Sequence, residues 1–237
     1  MRLLSSASLL VVLVAVPASA GPVSHALETG ADGSILLVDL ERARLLRWHE
    51  GELSVLSALE GVPAGDARQN LISSIDGEIF LGVKKSVFRV LDGGGLEATK
   101  PPAGLKNLFR GRPADLAPDG SVFVAADFKQ IERSLPGGDT HPVLINDTIS
   151  RIHSMAVTPY GRVFFSNSSE IAKLKADGSV EVLLDVRGDT ILGLAALGEN
   201  ECLLLRQDRD GRQTLERLDN FGNVEVVVTA EQISNAV

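Results

Sequence analysis

The sequence predicts an all-β fold: a β-propeller of five four-stranded blades. Three observations lead there. One short pattern recurs five times along the 237 residues. Each copy breaks into four short apolar strands separated by turns rich in Gly and Asp. Hydrophobic residues make up 44% of the chain but aromatic ones only 4%, so a core of Leu, Val, Ile and Ala must be assembled from many small surfaces.

The first twenty residues stand apart from the repeats. "MRLLSSASLLVVLVAVPASA" has a charged start at Arg2, an apolar stretch from Leu9 to Val16 and the small-residue pattern Ala18-Ser19-Ala20. This is the pattern of a secretory leader cleaved before Gly21, and the apolar run is too short to span a bilayer. No cysteine follows the cleavage pattern, which argues against a lipid anchor there. The expected organisation is a leader over 1–20 and a single propeller domain over 21–237, secreted or periplasmic. Without Arg2 the chain carries 22 basic and 31 acidic residues. That acidity argues against nucleic acid and anionic membranes as partners. Cys202, the one cysteine, lies in an apolar run and reads as a core residue.

Aligned on their first turn, the copies turn at Asp32-Gly33, Asp76-Gly77, Asp119-Gly120, Tyr160-Gly161 and, degenerately, near Glu199-Asn200, at spacings of 44, 43, 41 and about 39 residues. A short apolar strand precedes each turn: "SHALET", "NLISSI", "PADLAP", "SMAVTP", "LGLAAL". A second strand follows it: "SILLVDL", "EIFLGVK", "SVFVAAD", "RVFFSNS", "ECLLLRQ". The third strand carries a cation at one register, Arg47, Arg89, Arg133, Lys173 and Arg217. After a second glycine turn comes the fourth: "ELSVLSA", "GLEATK", "THPVLI", "SVEVLLD", "NVEVVVT". One twisted sheet cannot bury both faces; sheets stacked round an axis bury them against each other, and a four-stranded unit at this period is a propeller blade. The near-continuous apolar second strand fits a strand covered on both faces. Five blades are expected, or six if the termini pair. The chain begins with an innermost strand and ends with an outermost one, so no strand exchange between the ends is evident.

The stretches "LAPDGSVFVAAD" (116–127) and "KADGSV" (175–180) resemble the NHL-type repeat, and the grammar over about 23–229 resembles the wider group of gluconolactonase-like, strictosidine-synthase-like and virginiamycin-lyase-like propellers. The matching residues are structural, so the resemblance implies fold more than function. Such propellers usually have six or seven blades, against five here.

The turn aspartates fit turn chemistry. The repeated cation reads as a structural group, its stem laid on a neighbouring blade and its head paired with a carboxylate. Function is sought where the copies differ. In a propeller the starts of the innermost strands and the ends of the second strands meet round the mouth of the central channel. His25, Gln69, Arg112, His153 and Leu192 fall at the first register, and Asp39, Val83, Ala126 and Asn167 at the second, with Asp127 following Ala126. The candidate ligand-binding mouth is therefore His25, Asp39, Gln69, Arg112, Asp127, His153 and Asn167. The segment 100–113 adds Lys100, Lys106 and Arg110 beside Arg112 and is the best local candidate for contacting an anion.

No zinc-ligand spacing, GxSxG elbow or phosphate loop is present. The residues establish no catalytic group and no cofactor. The gluconolactonase-like resemblance implies a divalent cation held by Glu, Asn and Asp side chains; Glu28, Asn70, Asn167 and Asp127 are of the right type for Ca2+ but match no motif position by position. Asn146 and Asn167 each begin a glycosylation sequon. The expected role is an exported module binding a small molecule or protein on the channel face; the alternative is a metal-dependent hydrolase or lyase.

Overall fold

A computed structural model describes residues 27–30, 33–39, 42–59, 69–74, 77–83, 86–91, 94–101, 112–126, 130–145 and 151–236. Blade 1 comprises β1 (Leu27–Thr29), β2 (Ile35–Asp39), β3 (Arg44–His49) and β4 (Glu52–Ala58). Blade 2 is β5 (Gln69–Ser73), β6 (Ile79–Val83), β7 (Ser86–Val90) and β8 (Leu96–Thr99). Blade 3 is β9 (Ala114–Leu116), β10 (Val122–Ala126), β11 (Gln130–Ser134) and β12 (Thr140–Ile145). Blade 4 is β13 (Ser154–Val157), β14 (Val163–Ser166), β15 (Glu170–Leu174) and β16 (Val180–Asp185). Blade 5 is β17 (Thr190–Leu197), β18 (Glu201–Gln207), β19 (Gln213–Leu218) and β20 (Val224–Val228), followed by helix α1 (Ala230–Asn235). Every sheet is an antiparallel meander in chain order. Five blades form, as the repeat predicts.

The innermost strands make a closed ring. β1 touches β5, β5 touches β9, β9 touches β13, β13 touches β17, and β17 returns to β1. Apolar residues accordingly concentrate at the seams. One cluster joins blades 1, 2 and 5 through Leu27, Leu37, Leu71, Leu81 and Leu205. A second joins blades 3 and 4 through Phe123, Ile131, Met155 and Phe165, and a third joins blades 4 and 5 through Phe164, Leu194 and Leu204. β2 and β14 are buried along their whole length, which is why their sequences are apolar without alternation.

The edge of an innermost strand bears backbone groups with no strand partner, and neighbouring blades supply partners. Thr29 Oγ1 donates to the Ala196 carbonyl at 2.8 Å, joining blade 1 to blade 5. Leu194 N–H donates to Ser154 Oγ at 2.9 Å, joining blade 5 to blade 4. Val157 N–H donates to Asp115 Oδ2 at 2.5 Å, joining blade 4 to blade 3.

A second device operates at the rim. In blades 1, 3, 4 and 5 the pairing of the third and fourth strands shifts register, leaving Leu56, Val143, Leu183 and Val227 as bulge residues. The glycine turn of the next blade then meets the bulged backbone. A Cβ on Gly94 (φ +84) would overlap the Leu56 carbonyl, and one on Gly222 (φ +88) would stand 2.5 Å from the Leu183 oxygen. At these positions glycine serves twice, for the left-handed turn and for the close approach of two backbones.

Among the described residues no strand is exchanged between the ends, and closure uses an element the strand pattern does not foresee. Thr229 caps α1 in a reciprocal capping box with Gln232. Ile233 is buried in the cluster that contains blade 1. Arg44 of β3 reaches across to the end of the helix, donating to the Ala236 carbonyl at 2.7 Å and the Ile233 carbonyl at 3.4 Å. The helix is a clasp between the last blade and the first.

Candidate functional site

The starts of the innermost strands and the ends of the second strands lie at one end of the ring. Asp39 ends β2, and its carboxylate is 2% exposed. It accepts from Arg44 Nη2 at 2.9 Å and Nε at 3.3 Å and from the Arg42 backbone N–H at 3.1 Å. Asn167 stands at the equivalent place after β14. Its Oδ1 accepts from the backbone N–H groups of Ser169 (2.8 Å) and Glu170 (2.9 Å), and its Nδ2 donates to Glu170 Oε1 at 3.0 Å. In blades 1 and 4 the same position thus ties the hairpin between second and third strands. These two side chains shape the mouth from beneath.

Arg112 and His153 precede β9 and β13 at one register, equally far along the chain from Leu116 and Val157, which pair across the first turn. Arg112 and Arg151 are exposed and His153 is half-buried. Burial, aided by the charge of Arg151, holds the His153 pKa below its ordinary value. Gln69 opens β5 opposite Val83, as its register requires. His25 and Asp127 lie outside the described residues, as do Lys106 and Arg110. In blade 5 a bulge between Ile191 and Gly193 slips Leu192 out of register, and the mouth carries instead a network that the alignment misses. Arg206 donates through Nε to Asp189 Oδ2 at 2.7 Å and pairs with Glu216 at 3.4 Å, while Thr214 Oγ1 donates to Glu216 at 2.9 Å. The signal was the length of β17 and β18, which run past the corresponding strands of the other blades.

Four of the five third-strand cations pair with carboxylates of their own blade. Arg89 pairs with Glu78 and Glu97, Arg217 with Glu201 and Glu225, and Lys173 with Glu181 and with Asn220 of the next blade. Arg133 pairs with Asp119 and lies over the Phe123 ring, 5.6 Å from its centre. The turn aspartates accept from backbone N–H groups two residues on, as at Asp119, Asp177 and Asp219. Cys202 is buried, which pushes its thiol far up in pKa and away from thiolate chemistry. Among the described residues no three of His, Cys, Asp and Glu gather as a metal-binding group, and no helix is long and apolar enough to cross a membrane. Of the cation candidates, Glu28 accepts from the Thr29 N–H at 3.0 Å and Asn167 holds its own turn.

Asp115, in the middle of β9, was not singled out by the sequence. Its residue keeps some surface, but its carboxyl is enclosed, and burial raises its pKa to about 7 against the pull of the Val157 and Leu116 N–H groups. A folded pKa above the unfolded one means that the native state binds the extra proton between about pH 4 and 7. The Asp115 contribution is therefore greatest at the acid end of that window and falls as pH rises, by at most about 1.4 kcal/mol per pH unit. Below it, Asp119, Asp177 and Asp219, whose pKa values are lowered chiefly by hydrogen bonds, take up protons and stability is lost again. We expect the melting temperature to be higher at pH 5.5 than at pH 8, with Asp115→Asn flattening that slope. An Asp115→Asn protein with the wild-type slope would show that another group sets it.

No family profile and no curated protein matches the chain in sequence. Solved structures do match in fold. A gluconolactonase from Xanthomonas campestris superposes with a TM-score of 0.50 at 14% identity, over 86% of this chain and 75% of that one. A streptogramin B lyase gives 0.44 at 15% identity, over 87% and 70%. An auxiliary nutrient-binding protein from Bacteroides thetaiotaomicron gives 0.47 at 12% identity, over 84% and 56%. The class defined is a five-bladed β-propeller, and the likeness to these structures is one of fold.

Proposed function

We propose that the protein is an exported binding module that takes a small molecule or a segment of another protein at the channel mouth. One observation carries this reading. The blades repeat one another in turns, cations and core, and they diverge where the innermost strands begin, at one end of a closed ring. A rim whose side chains differ from blade to blade is suited to recognition. Asp39 and Asn167 support it by fixing the hairpins on which the rim stands. The leader-like pattern of residues 1–20 supports an exported location.

The test is a thermal-shift screen of the purified protein against small metabolites, with Ca2+, Mg2+, Zn2+ and EDTA as separate arms. A ligand that binds only the native state adds RT ln(1 + [L]/Kd), about 2.7 kcal/mol at a hundredfold excess over Kd. We expect stabilisation by a metabolite, unchanged by EDTA, without turnover, and diminished by His153→Ala. Stabilisation by one metal together with lactone or ester turnover would replace the binding reading with a metal-dependent enzyme.

A further inference from the structure

We propose that the outer edge of blade 5 takes an extended segment of another polypeptide as a fifth strand, with a basic residue of that segment opposite Glu225 and apolar residues on either side of it. β20 ends its sheet, and among the described residues no strand pairs with it beyond β19. Its backbone is set for an addition. The Asp219 N–H donates to the Asn223 carbonyl at 3.1 Å across the turn that opens β20, and Arg217 and Glu225 are partners two residues further along each strand. Hydrogen-bonded and non-hydrogen-bonded pairs alternate along an antiparallel ladder, so Arg217 and Glu225 bond to each other while Val224 and Val226 turn their N–H and C=O groups outward. Blade 3 shows a guarded edge: β12 carries Pro142 at the register of Val226 and has no N–H to offer there.

The side chains at this edge fit the same partner. Val224 is 39% exposed, Val226 53%, and Phe221, at the foot of the strand, 87%. Apolar side chains beside open backbone groups are what an added strand covers. The carboxylate between the two valines sets the charge of the incoming residue. At its register Glu97 is held by Arg89 at 2.6 Å in blade 2, and Glu181 by Lys173 at 3.3 Å and Lys175 at 3.6 Å in blade 4. Glu225 has Arg217 at 4.0 Å, and that guanidinium lies 2.6 Å from Glu201. Glu225 is the most loosely held carboxylate of the three, and a cation placed opposite it completes a cross-strand pair. A second copy of this chain cannot supply that cation through the same strand. Val224–Val228 contains no basic residue, and a two-fold pairing centred on Glu225 sets two carboxylates face to face.

The experiment records amide NMR spectra of the purified protein with acetyl-Thr-Val-Lys-Val-Thr-amide added to about 2 mM, and with the same peptide carrying Glu in place of Lys. The expected result is a saturable shift of the Val224 and Val226 amides, with the Lys peptide bound about threefold more tightly than the Glu peptide, the worth of an exposed ion pair. Glu225→Gln, an exposed change that leaves the core untouched, is expected to bring the two peptides to equal affinity. Val226→Pro, which copies blade 3, is expected to abolish the response. No saturable shift, shifts centred away from β20, or equal affinity of the unaltered protein for both peptides overturns the proposal. Concentration-dependent broadening of the Val224 and Val226 amides without peptide also overturns it, since the edge then belongs to a second copy.

Discussion

Replacing Gly94 with alanine is expected to cost about 3–4 kcal/mol, far more than the same change at Gly51 or Gly138. All three glycines occupy the turn between third and fourth strands with φ between +84 and +95. An alanine there gives up about 1–2 kcal/mol on conformation alone. At Gly51 and Gly138 nothing lies within 4 Å of a new Cβ, so that is the whole expected loss. At Gly94 the new atom would overlap the carbonyl of Leu56. Two backbones must then separate, adding an overpacking cost of about 1–3 kcal/mol. The partner cannot move aside easily, because Leu56 is the bulge residue of β4 and its neighbours are paired in the ladder on both sides. Gly222→Ala, set against the Leu183 oxygen, should behave like Gly94→Ala. The Gly178 turn sits 3.7 Å from the Val143 oxygen, an ordinary contact, and belongs with the mild group. Urea midpoints of the five variants provide the measurement. Equal midpoints for Gly94→Ala and Gly138→Ala would show that the blades do not meet through these turns.

The same positions show what the sequence could and could not disclose. The glycine turns were legible because they recur at a fixed place between apolar runs, and with them came the strand boundaries and the number of blades. The bulges were not. Leu56, Val143 and Leu183 look like ordinary members of outer strands, and only the pairing of neighbouring strands reveals the extra residue. At the mouth, the registers of Asp39, Gln69, Arg112, His153 and Asn167 could be read by counting from the turns. The use of Asp39 and Asn167 could not, because their hydrogen bonds run to side chains and backbone N–H groups a few residues away in hairpins that the repeat does not share. Leu192 was displaced by a bulge that no local pattern marks. Asp115 escaped because the neighbouring blades 2 and 4 place Ile72 and Ala156 at its position, although blade 1 carries Glu28 there.

Ring closure is where the largest effect of a single side chain is expected. Arg44→Ala should destabilise the protein by about 3 kcal/mol, and its effect should be smaller in a chain that already lacks residues 230–237. Arg44 is 18% exposed and Asp39 only 2%, so the pair is largely shielded from water. Removing one partner of such a pair leaves an uncompensated carboxylate, a cost of about 3–5 kcal/mol. Arg42, 3.7 Å from Asp39 and partly exposed, recovers some of that. The same guanidinium also satisfies carbonyls at the end of α1, 192 positions away in sequence from its own residue. A helix end has carbonyls with no intrahelical donor, and Arg44 is the donor that blade 1 supplies. Deleting the helix removes Ile233 from the core of the closing seam and takes away the acceptors that hold Arg44 in place. The two changes should therefore be strongly non-additive. Asp39→Asn combined with Arg44→Ala should recover part of the loss, since no buried charge is then left alone. Arg89, whose partners Glu78 and Glu97 are as exposed as itself, is the control and should matter far less. If Arg44→Ala and removal of the helix destabilise independently, the clasp and the Asp39 pair are separate devices, and the ring is closed by β1 against β17 alone.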